Sequence, residues 1–212
     1  VGSFVSPQYV PQMADTPELF ARIRRKEGVR YTSLWLNEKG FRKAMAADRV
    51  HLDPRLLLYT SETFARANNN ASSAEMRERQ RDWARLYKAE GLALHAAYVM
   101  TAFGSTLQGP IREEEGVAVP IPVIADTMGW GNSEAVKRMI GALRELAPAA
   151  RIGMHLHDTR GLGIANLYAA LSMGVDMFES SVAGLGGCPF AGHGHARAAG
   201  NVCTEDAVFL CH

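Results

Sequence analysis

The sequence lacks the features that mark disulfide-stabilised, membrane-spanning and nucleic-acid-binding proteins. Among its 212 residues are only three cysteines, an odd and small number that argues against a disulfide framework and favours a reducing compartment. No run of about 18 apolar residues is present to cross a bilayer. The formal net charge is only +1, which gives no reason to expect a nucleic-acid or membrane partner.

What is present is the composition of a globular domain built from alternating strands and helices. Hydrophobic residues make up 47% of the chain, which is enough for a buried core, and one domain is the default at this length. Residues 55–59 form a continuous apolar run, typical of a strand covered on both faces. Seven strand segments, most of them followed by a helical pattern, predict a parallel sheet with right-handed crossovers and therefore an α/β fold. The alternation alone does not distinguish a barrel from a doubly wound sheet.

The helix starts carry capping residues. Thr16 before Pro17 and Asn132 are predicted N-caps, and Ser72 with Glu75 has the spacing of a capping box. The helix after Asn132 should turn one apolar face towards the core, formed by Val136, Met139, Ile140, Leu143 and Leu146.

A pair of histidines lies in the third quarter of the chain. If residues 151–157 form a strand, His155 and His157 point to the same side, because side chains two apart in a strand share a face. Two imidazoles on one side are a two-point clamp for a metal ion. The alternative is one structural histidine and one solvated histidine. The next strand ends in a glycine-rich loop with Cys188, and a (β/α) barrel builds its active site from such strand ends.

That glycine-rich loop also carries a family resemblance. Residues 181–191, Ser-Val-Ala-Gly-Leu-Gly-Gly-Cys-Pro-Phe-Ala, resemble the characteristic segment of the 3-hydroxy-3-methylglutaryl-CoA lyases, which are metal-dependent (β/α)8-barrel enzymes. Residues 154–159 (Met-His-Leu-His-Asp-Thr) and 126–129 (Asp-Thr-Met-Gly) resemble the wider superfamily, which includes Claisen-type synthases and aldolases. The resemblance extends over nearly the whole chain.

The resemblance implies a single catalytic barrel domain over residues 1–212, holding strands 2–8 of the eight, with the first βα unit upstream of Val1. One connection is too short for this fold. Between Gly109 and Asp126 the chain has about ten residues fewer than a strand–helix–strand crossover needs. We interpret this as residues absent from the chain, the alternative being a truncated crossover helix.

By the same resemblance His155, His157 and Asn201 are metal ligands, and the cation is Mg²⁺ or Mn²⁺, which a mixed nitrogen and oxygen shell suits. The family's fourth ligand, an aspartate in the first strand beside a catalytic arginine, has no counterpart in this sequence. Asn201 alternatively caps the last helix or forms a turn before it. Asp158 and Glu205 are expected to support the metal shell, Asp158 by holding a histidine or a backbone amide. Glu205 is alternatively a helix-start carboxylate.

The resemblance makes Cys188 the general acid, with Asp126 and His155 as further catalytic residues and Ser3 as a substrate contact. A thiol in a glycine-rich loop can bend over a site and protonate an enolate carbon. An isolated cysteine is more often a small buried hydrophobe. Asp126 alternatively forms an Asx-turn at the end of its strand.

The implied activity is cleavage of 3-hydroxy-3-methylglutaryl-CoA to acetyl-CoA and acetoacetate. The expected partner is this small-molecule acyl-CoA, with a homodimer as an option, in the cytoplasm of a bacterium or the mitochondrial matrix of a eukaryote. A larger 3-hydroxy-3-alkylglutaryl-CoA is an alternative substrate, because Val123 stands where the family commonly has serine and the loop before Asn201 is longer than in the family. Two further alternatives are a synthase or aldolase of the same superfamily and a non-catalytic homologue that binds acyl-CoA or metal.

Overall fold

The computed structural model describes residues 2–8, 10–60, 62–103, 121–187 and 200–212. They belong to two compact units, Val1–Pro54 and Arg55–His212. The predicted acid Cys188 and most of the short connection after Gly109 lie outside the described residues. In the described ranges, no helix is long and apolar enough to cross a membrane.

The N-terminal unit contains two short parallel strands and two helices: β1 (Gly2–Ser3), β2 (Ser33–Leu34), α1 (Thr16–Arg22) and α2 (Glu38–Met45). The predicted N-cap of α1 is wrong by one residue, because Asp15 holds the cap position and Thr16 is the first helical residue. Thr16 has another partner: its Oγ1 accepts a hydrogen bond from the backbone N–H of Ser3 at 3.0 Å. A buried backbone amide needs an acceptor, and the hydroxyl of Thr16 supplies it.

The C-terminal unit is built on one parallel sheet. Its strands, in chain order and in spatial order alike, are β3 (Arg55–Tyr59), β4 (Ala96–Met100), β5 (Pro122–Asp126), β6 (Gly153–Leu156) and β7 (Met177–Glu179). Its helices are α3 (Glu62–Asn69), α4 (Ser73–Ala89), α5 (Ser133–Leu146), α6 (Gly163–Ser172) and α7 (Thr204–Cys211). Every neighbouring pair of strands runs parallel, which confirms the predicted α/β fold with a parallel sheet.

Local signals in the sequence locate two of these helices well. The capping box of Ser72 and Glu75 is present at the start of α4. Asn132 caps α5 by accepting a hydrogen bond from the backbone N–H of Ala135 at 2.9 Å. Three of the predicted inward residues of α5, Val136, Ile140 and Leu143, are buried. The prediction for Leu146 is wrong: this last residue of the helix is 54% exposed.

The strand register divides the sheet into two faces. One face packs on α5 and α6 and forms the main apolar core, whose members include Val99, Ile124, Met154, Leu156, Val136, Ile140, Leu167 and Ala170. The opposite face, called the inner face below, carries a smaller apolar cluster of Ala96, Tyr98, Ile121 and Val123. Next to this cluster on the inner face, Ala125, His155 and Glu179 are aligned across β5, β6 and β7.

Contacts across the inner face show that the sheet is curved. The hydroxyl of Tyr98 on β4 donates a hydrogen bond to the carboxylate of Glu179 on β7, although two strands lie between them. Strands three places apart in a flat sheet would be about 14 Å apart, too far for these two side chains to meet. The inner face is therefore concave, and side chains from distant strands converge on it.

Candidate active site

The two histidines stand together at the end of β6. His155 is its third residue and His157 follows its last, and their Nε2 atoms are 3.1 Å apart. The rings meet edge to face, with an interplanar angle of 65°. His157 is 4% exposed. The predicted placement of both imidazoles on one side of the strand is confirmed.

Asn201 lies directly opposite His157. The backbone pairs these two residues in an antiparallel bridge, flanked by hydrogen bonds from Asp158 N to Gly200 O and from Val202 N to Leu156 O, each 3.1 Å. Residues directly opposite in such a pair project to the same side. Asn201 is not the cap of α7, because Cys203 holds that position.

The side-chain amide of Asn201 has one engaged end and one open end. Its Nδ2 donates to the carbonyl oxygen of Leu185 at 3.2 Å. Its Oδ1 is buried and accepts no hydrogen bond from any described residue. A buried oxygen without a hydrogen bond lowers the stability of the fold, and the same oxygen is free to act as a ligand.

These donors fit a divalent cation. Two ligands at right angles around a cation, with bonds of about 2.1 Å, stand about 3.0 Å apart. The two Nε2 atoms are 3.1 Å apart, a distance at which the rings also form a hydrogen bond. Two imidazoles and an amide oxygen make the mixed shell that suits Mg²⁺ or Mn²⁺. Among the described residues, no group of three or more His, Cys, Asp and Glu side chains could hold a metal. The amide oxygen of Asn201 is a further donor beside the histidine pair.

Glu179, which sequence reasoning missed, holds the other nitrogen of His155. Its Oε2 lies 2.9 Å from Nδ1 of His155, its register partner on the neighbouring strand. Burial alone would raise the pKa of Glu179, but the hydrogen bond with His155, the charge of that ring when it is protonated, and the contacts with Tyr98 and Arg55 lower it below its ordinary value. One signal was available: Glu179 is the single charged residue of β7 and the last residue of that strand.

Asp126, unlike Glu179, does not contact the histidine pair. Its carboxylate is 1% exposed and accepts hydrogen bonds from the backbone amides of Trp130 at 2.9 Å and Gly131 at 3.0 Å. Its register partner is Leu156 and not His155, so its side chain lies on the helix-packed face of the sheet. Burial raises the pKa of Asp126, and the amide hydrogen bonds and the charge of Arg160 oppose that rise only in part. The structure does not bring Asp126 to the histidine pair, and its contacts are those of a turn-stabilising carboxylate.

The two residues expected to support the metal shell bind backbone amides. Asp158 accepts a hydrogen bond from the N–H of Gly163, the first residue of α6, at 2.7 Å. Glu205 accepts from the N–H of Ala183 at 2.9 Å and from the thiol of Cys203 at 2.8 Å. Hydrogen bonds with Cys203 and Ala183 lower the pKa of Glu205. Glu205 thus fastens the segment after β7, the same segment that Asn201 holds through Leu185.

Glycines allow that segment to lie against Asn201. An added Cβ at Gly200 would stand 1.7 Å from the carbonyl oxygen of Gly184, and one at Gly186 would stand 3.0 Å from Nδ2 of Asn201. Gly184 has a φ of +63° and Gly186 a φ of +93°, a region that side chains disfavour. The glycines before Cys188 therefore allow this segment to pack closely on the backbone around Asn201.

Ser3 belongs to the N-terminal unit. It is 8% exposed, and its Oγ lies 3.4 Å from the carbonyl oxygen of Leu34. Its assignment as a substrate contact stays a prediction.

The chain resembles known lyases over nearly its whole length. The sequence profile of the HMGL-like family matches residues 10–212. A protein of Pseudomonas aeruginosa named 3-hydroxy-3-isohexenylglutaryl-CoA/hydroxy-methylglutaryl-CoA lyase is 36% identical, over 99% of this chain and 71% of its own length. The mitochondrial hydroxymethylglutaryl-CoA lyase of Bos taurus is 36% identical, over 98% of this chain and 65% of its own length.

The fold agrees with that similarity. The crystal structure of hydroxymethylglutaryl-CoA lyase from Pseudomonas aeruginosa matches with a TM-score of 0.83 at 36% identity, over 99% of this chain and 70% of that chain. The likeness confirms the predicted (β/α)8-barrel fold, of which this chain spans a part.

Proposed function

The chain belongs to the HMGL-like family, and we propose that it is a metal-dependent carbon–carbon lyase that splits 3-hydroxy-3-methylglutaryl-CoA into acetyl-CoA and acetoacetate. One observation carries the proposal. His155, His157 and the open Oδ1 of Asn201 share one side of the β6 end, in a chain that is 36% identical to named lyases of this reaction.

Within this chain, the residues that would hold the metal are His155, His157 and Asn201. A divalent cation, Mg²⁺ or Mn²⁺, would polarise the tertiary hydroxyl of the substrate and lower its pKa. The protein's part is to present donor atoms in a fixed arrangement. The bridge between His157 and Asn201 sets their spacing, and Glu179 sets the orientation of His155.

The cleavage needs one proton removed and one proton supplied. Loss of the hydroxyl proton lets the oxygen form the ketone of acetoacetate, while the bond between the second and third carbons of the acyl chain breaks. Its electron pair passes to the thioester fragment as an enolate, and protonation of the enolate carbon gives acetyl-CoA. We assign that protonation to the thiol of Cys188, a residue that directly follows the glycine segment fastened by Asn201 and Glu205.

Asp126 contributes by shaping the end of β5. Its carboxylate organises the turn to Gly131, beside the strand that carries His155. This support for the site is compatible with its buried position on the helix-packed face. A direct role in proton transfer remains the prediction from the family resemblance.

A larger acyl group is the second candidate substrate. Val123 is fully buried on the inner face, where its side chain adds apolar surface. The relative from Pseudomonas aeruginosa is named for both the isohexenyl and the methyl substrate. If the apolar surface extends to the acyl pocket, we expect the larger thioester to be cleaved with a kcat/KM equal to or above that of the methyl compound.

The test is acetoacetate release by the purified full-length protein from 3-hydroxy-3-methylglutaryl-CoA, with Mg²⁺ and with a chelator. Metal-dependent release is expected, with a loss of at least about 100-fold in Cys188→Ala. Cys211→Ala is the matched control, because Cys211 is an exposed residue of α7. The proposal would be contradicted if the metal-bound protein released neither acetoacetate from the methyl thioester nor acetyl-CoA from the larger thioester. Homodimer formation and location in the cytoplasm or mitochondrial matrix stay predictions.

A further inference from the structure

We propose that Glu179, itself positioned by Tyr98 and Arg55, fixes the imidazole of His155 in the tautomer that carries its proton on Nδ1. Glu179 is thus a positioning residue for the metal site. The inference deepens the proposed function. It rests on that function only for the reaction in which the metal would take part.

Each ring nitrogen of His155 lies close to a different side chain. Its Nδ1 lies 2.9 Å from Oε2 of Glu179, and its Nε2 lies 3.1 Å from Nε2 of His157. A carboxylate can only accept a hydrogen bond, so the proton of a neutral imidazole must sit on Nδ1. Nε2 then presents its lone pair towards His157, the residue that Asn201 faces.

Glu179 is held on its other side by a chain of side chains that crosses the inner face. The hydroxyl of Tyr98 donates to Oε1 of Glu179. Arg55 donates through Nη1 to the hydroxyl oxygen of Tyr98 at 3.1 Å, and the same Nη1 lies 4.0 Å from Oε1 of Glu179. The guanidinium also stacks on the ring of Tyr98, 5.2 Å from its centroid. The two oxygens of Glu179 therefore have separate partners, which prevents the carboxylate from rotating.

The contact between Glu179 and His155 differs from an ordinary ion pair. An ordinary ion pair with a protonated imidazole would leave both ring nitrogens carrying protons, and Nε2 could then not bind a metal. Binding through Nε2 requires the neutral ring with Nδ1 protonated, which is the form that the Glu179 carboxylate selects. Residues from four strands, β3, β4, β6 and β7, are needed to build this one contact.

The test compares Glu179→Leu with Glu78→Leu. Glu78 is an exposed residue of α4, paired only with Arg81 among the described ion pairs. Two readouts are needed and neither depends on turnover. Nitrogen-15 NMR of the metal-free full-length protein reports the tautomer of His155, and calorimetry reports its Mn²⁺ affinity.

The expected result, at a pH at which imidazole is neutral, is a His155 ring that carries its proton on Nδ1 in the wild type and in Glu78→Leu. Glu179→Leu should shift the ring towards the other tautomer and raise the dissociation constant for Mn²⁺ by about 10- to 100-fold. Glu179→Gln keeps an acceptor for Nδ1 and should keep the tautomer. Tyr98→Phe, which removes only the hydroxyl, should weaken Mn²⁺ binding by about threefold.

A wild-type His155 that carries its proton on Nε2 would overturn the inference, as would equal Mn²⁺ affinities in Glu179→Leu and Glu78→Leu. If Glu179→Leu does not fold, Tyr98→Phe and Glu179→Gln decide the question through the same readouts. A wild type that shows the predicted tautomer and binds Mn²⁺ but releases no acetoacetate would remove the proposed function and leave the inference standing.

Discussion

Asp126, which is buried, and Glu179, which is part-buried, are carboxylates that end two strands of one sheet, and they have different roles. Asp126 at the end of β5 lies on the helix-packed face and accepts two backbone amides of the following turn. Glu179 at the end of β7 lies on the inner face and holds a histidine. Asp126 stabilises a backbone turn, and Glu179 orients a histidine that we propose as a metal ligand.

The pKa values of the two groups follow from this difference. Burial raises the pKa of Asp126 because neutral amides only partly replace the lost water. Burial would also raise the pKa of Glu179, but His155, Tyr98 and Arg55 outweigh it and lower the pKa. The direction of the pKa shift of a strand-end carboxylate in this sheet therefore depends on its partners as well as on its burial.

The largest effect is expected from a substitution that displaces the backbone beside Asn201, the residue opposite His157. Gly200→Ala would place a Cβ 1.7 Å from the carbonyl oxygen of Gly184, so Asn201 or the segment before Cys188 must move. A displacement of about 1 Å in a catalytic group can lower a rate by about 100-fold. We expect at least that loss in acetoacetate release. Gly141→Ala is the control, because Gly141, like Gly200, has no left-handed φ, and an added Cβ there meets no atom within 4 Å. Equal activities in the two variants would contradict the prediction.

Removing the carboxylate of Asp126 should act on stability. Asp126→Ala leaves the buried amides of Trp130 and Gly131 without their acceptor, at a cost of about 3 kcal/mol in the free energy of unfolding. Urea unfolding followed by circular dichroism measures it. Glu179→Gln, which keeps the shape of the side chain and an acceptor, should lose less than about 1 kcal/mol in the same assay. Equal losses of unfolding free energy in Asp126→Ala and Glu179→Gln would contradict the contrast between the two carboxylates.

The raised pKa of Asp126 gives a pH dependence of known sign. A carboxyl whose pKa is higher in the folded than in the unfolded protein binds more protons when folded, so its contribution to stability falls as pH rises between the two values. The slope approaches about 1.4 kcal/mol per pH unit within that window. Asp126→Asn should lack this component, which appears as a difference between the stability–pH curves of the variant and the wild type. Parallel curves over the acidic range would count against the burial argument.

The smallest effect concerns the cation beside the Asp126 turn. Arg160 stacks on Trp130, with 5.7 Å between guanidinium and ring centroid, and donates to the carbonyl oxygen of Gly129 at 3.2 Å. Arg160→Gln should cost about 0.5–1 kcal/mol. It should also move the pH window of Asp126 upward, since the charge of Arg160 lowers that pKa. Asp176→Asn, which removes an exposed partner of Arg151, should leave the unfolding midpoint unchanged.

Much of the fold was predictable because its signals lie within a few residues of each other. The capping box of Ser72 and the cap of Asn132 depend on hydrogen bonds three residues ahead. The side shared by His155 and His157 follows from the alternation of a single strand. Thr16 shows the limit of such reasoning, because its hydroxyl accepts a hydrogen bond from the distant amide of Ser3 and does not cap its own helix.

The sequence by itself determined the parallel α/β architecture, the histidine pair and, through a loop resemblance, the family. The tertiary structure decided that Glu179 and not Asp126 contacts His155, that Asn201 faces His157, and that Tyr98 reaches across two strands. Local periodicity fixes which side of its own strand a residue occupies. Register, twist and curvature of the whole sheet fix which residues of other strands meet it there, and these depend on the packing of all strands together.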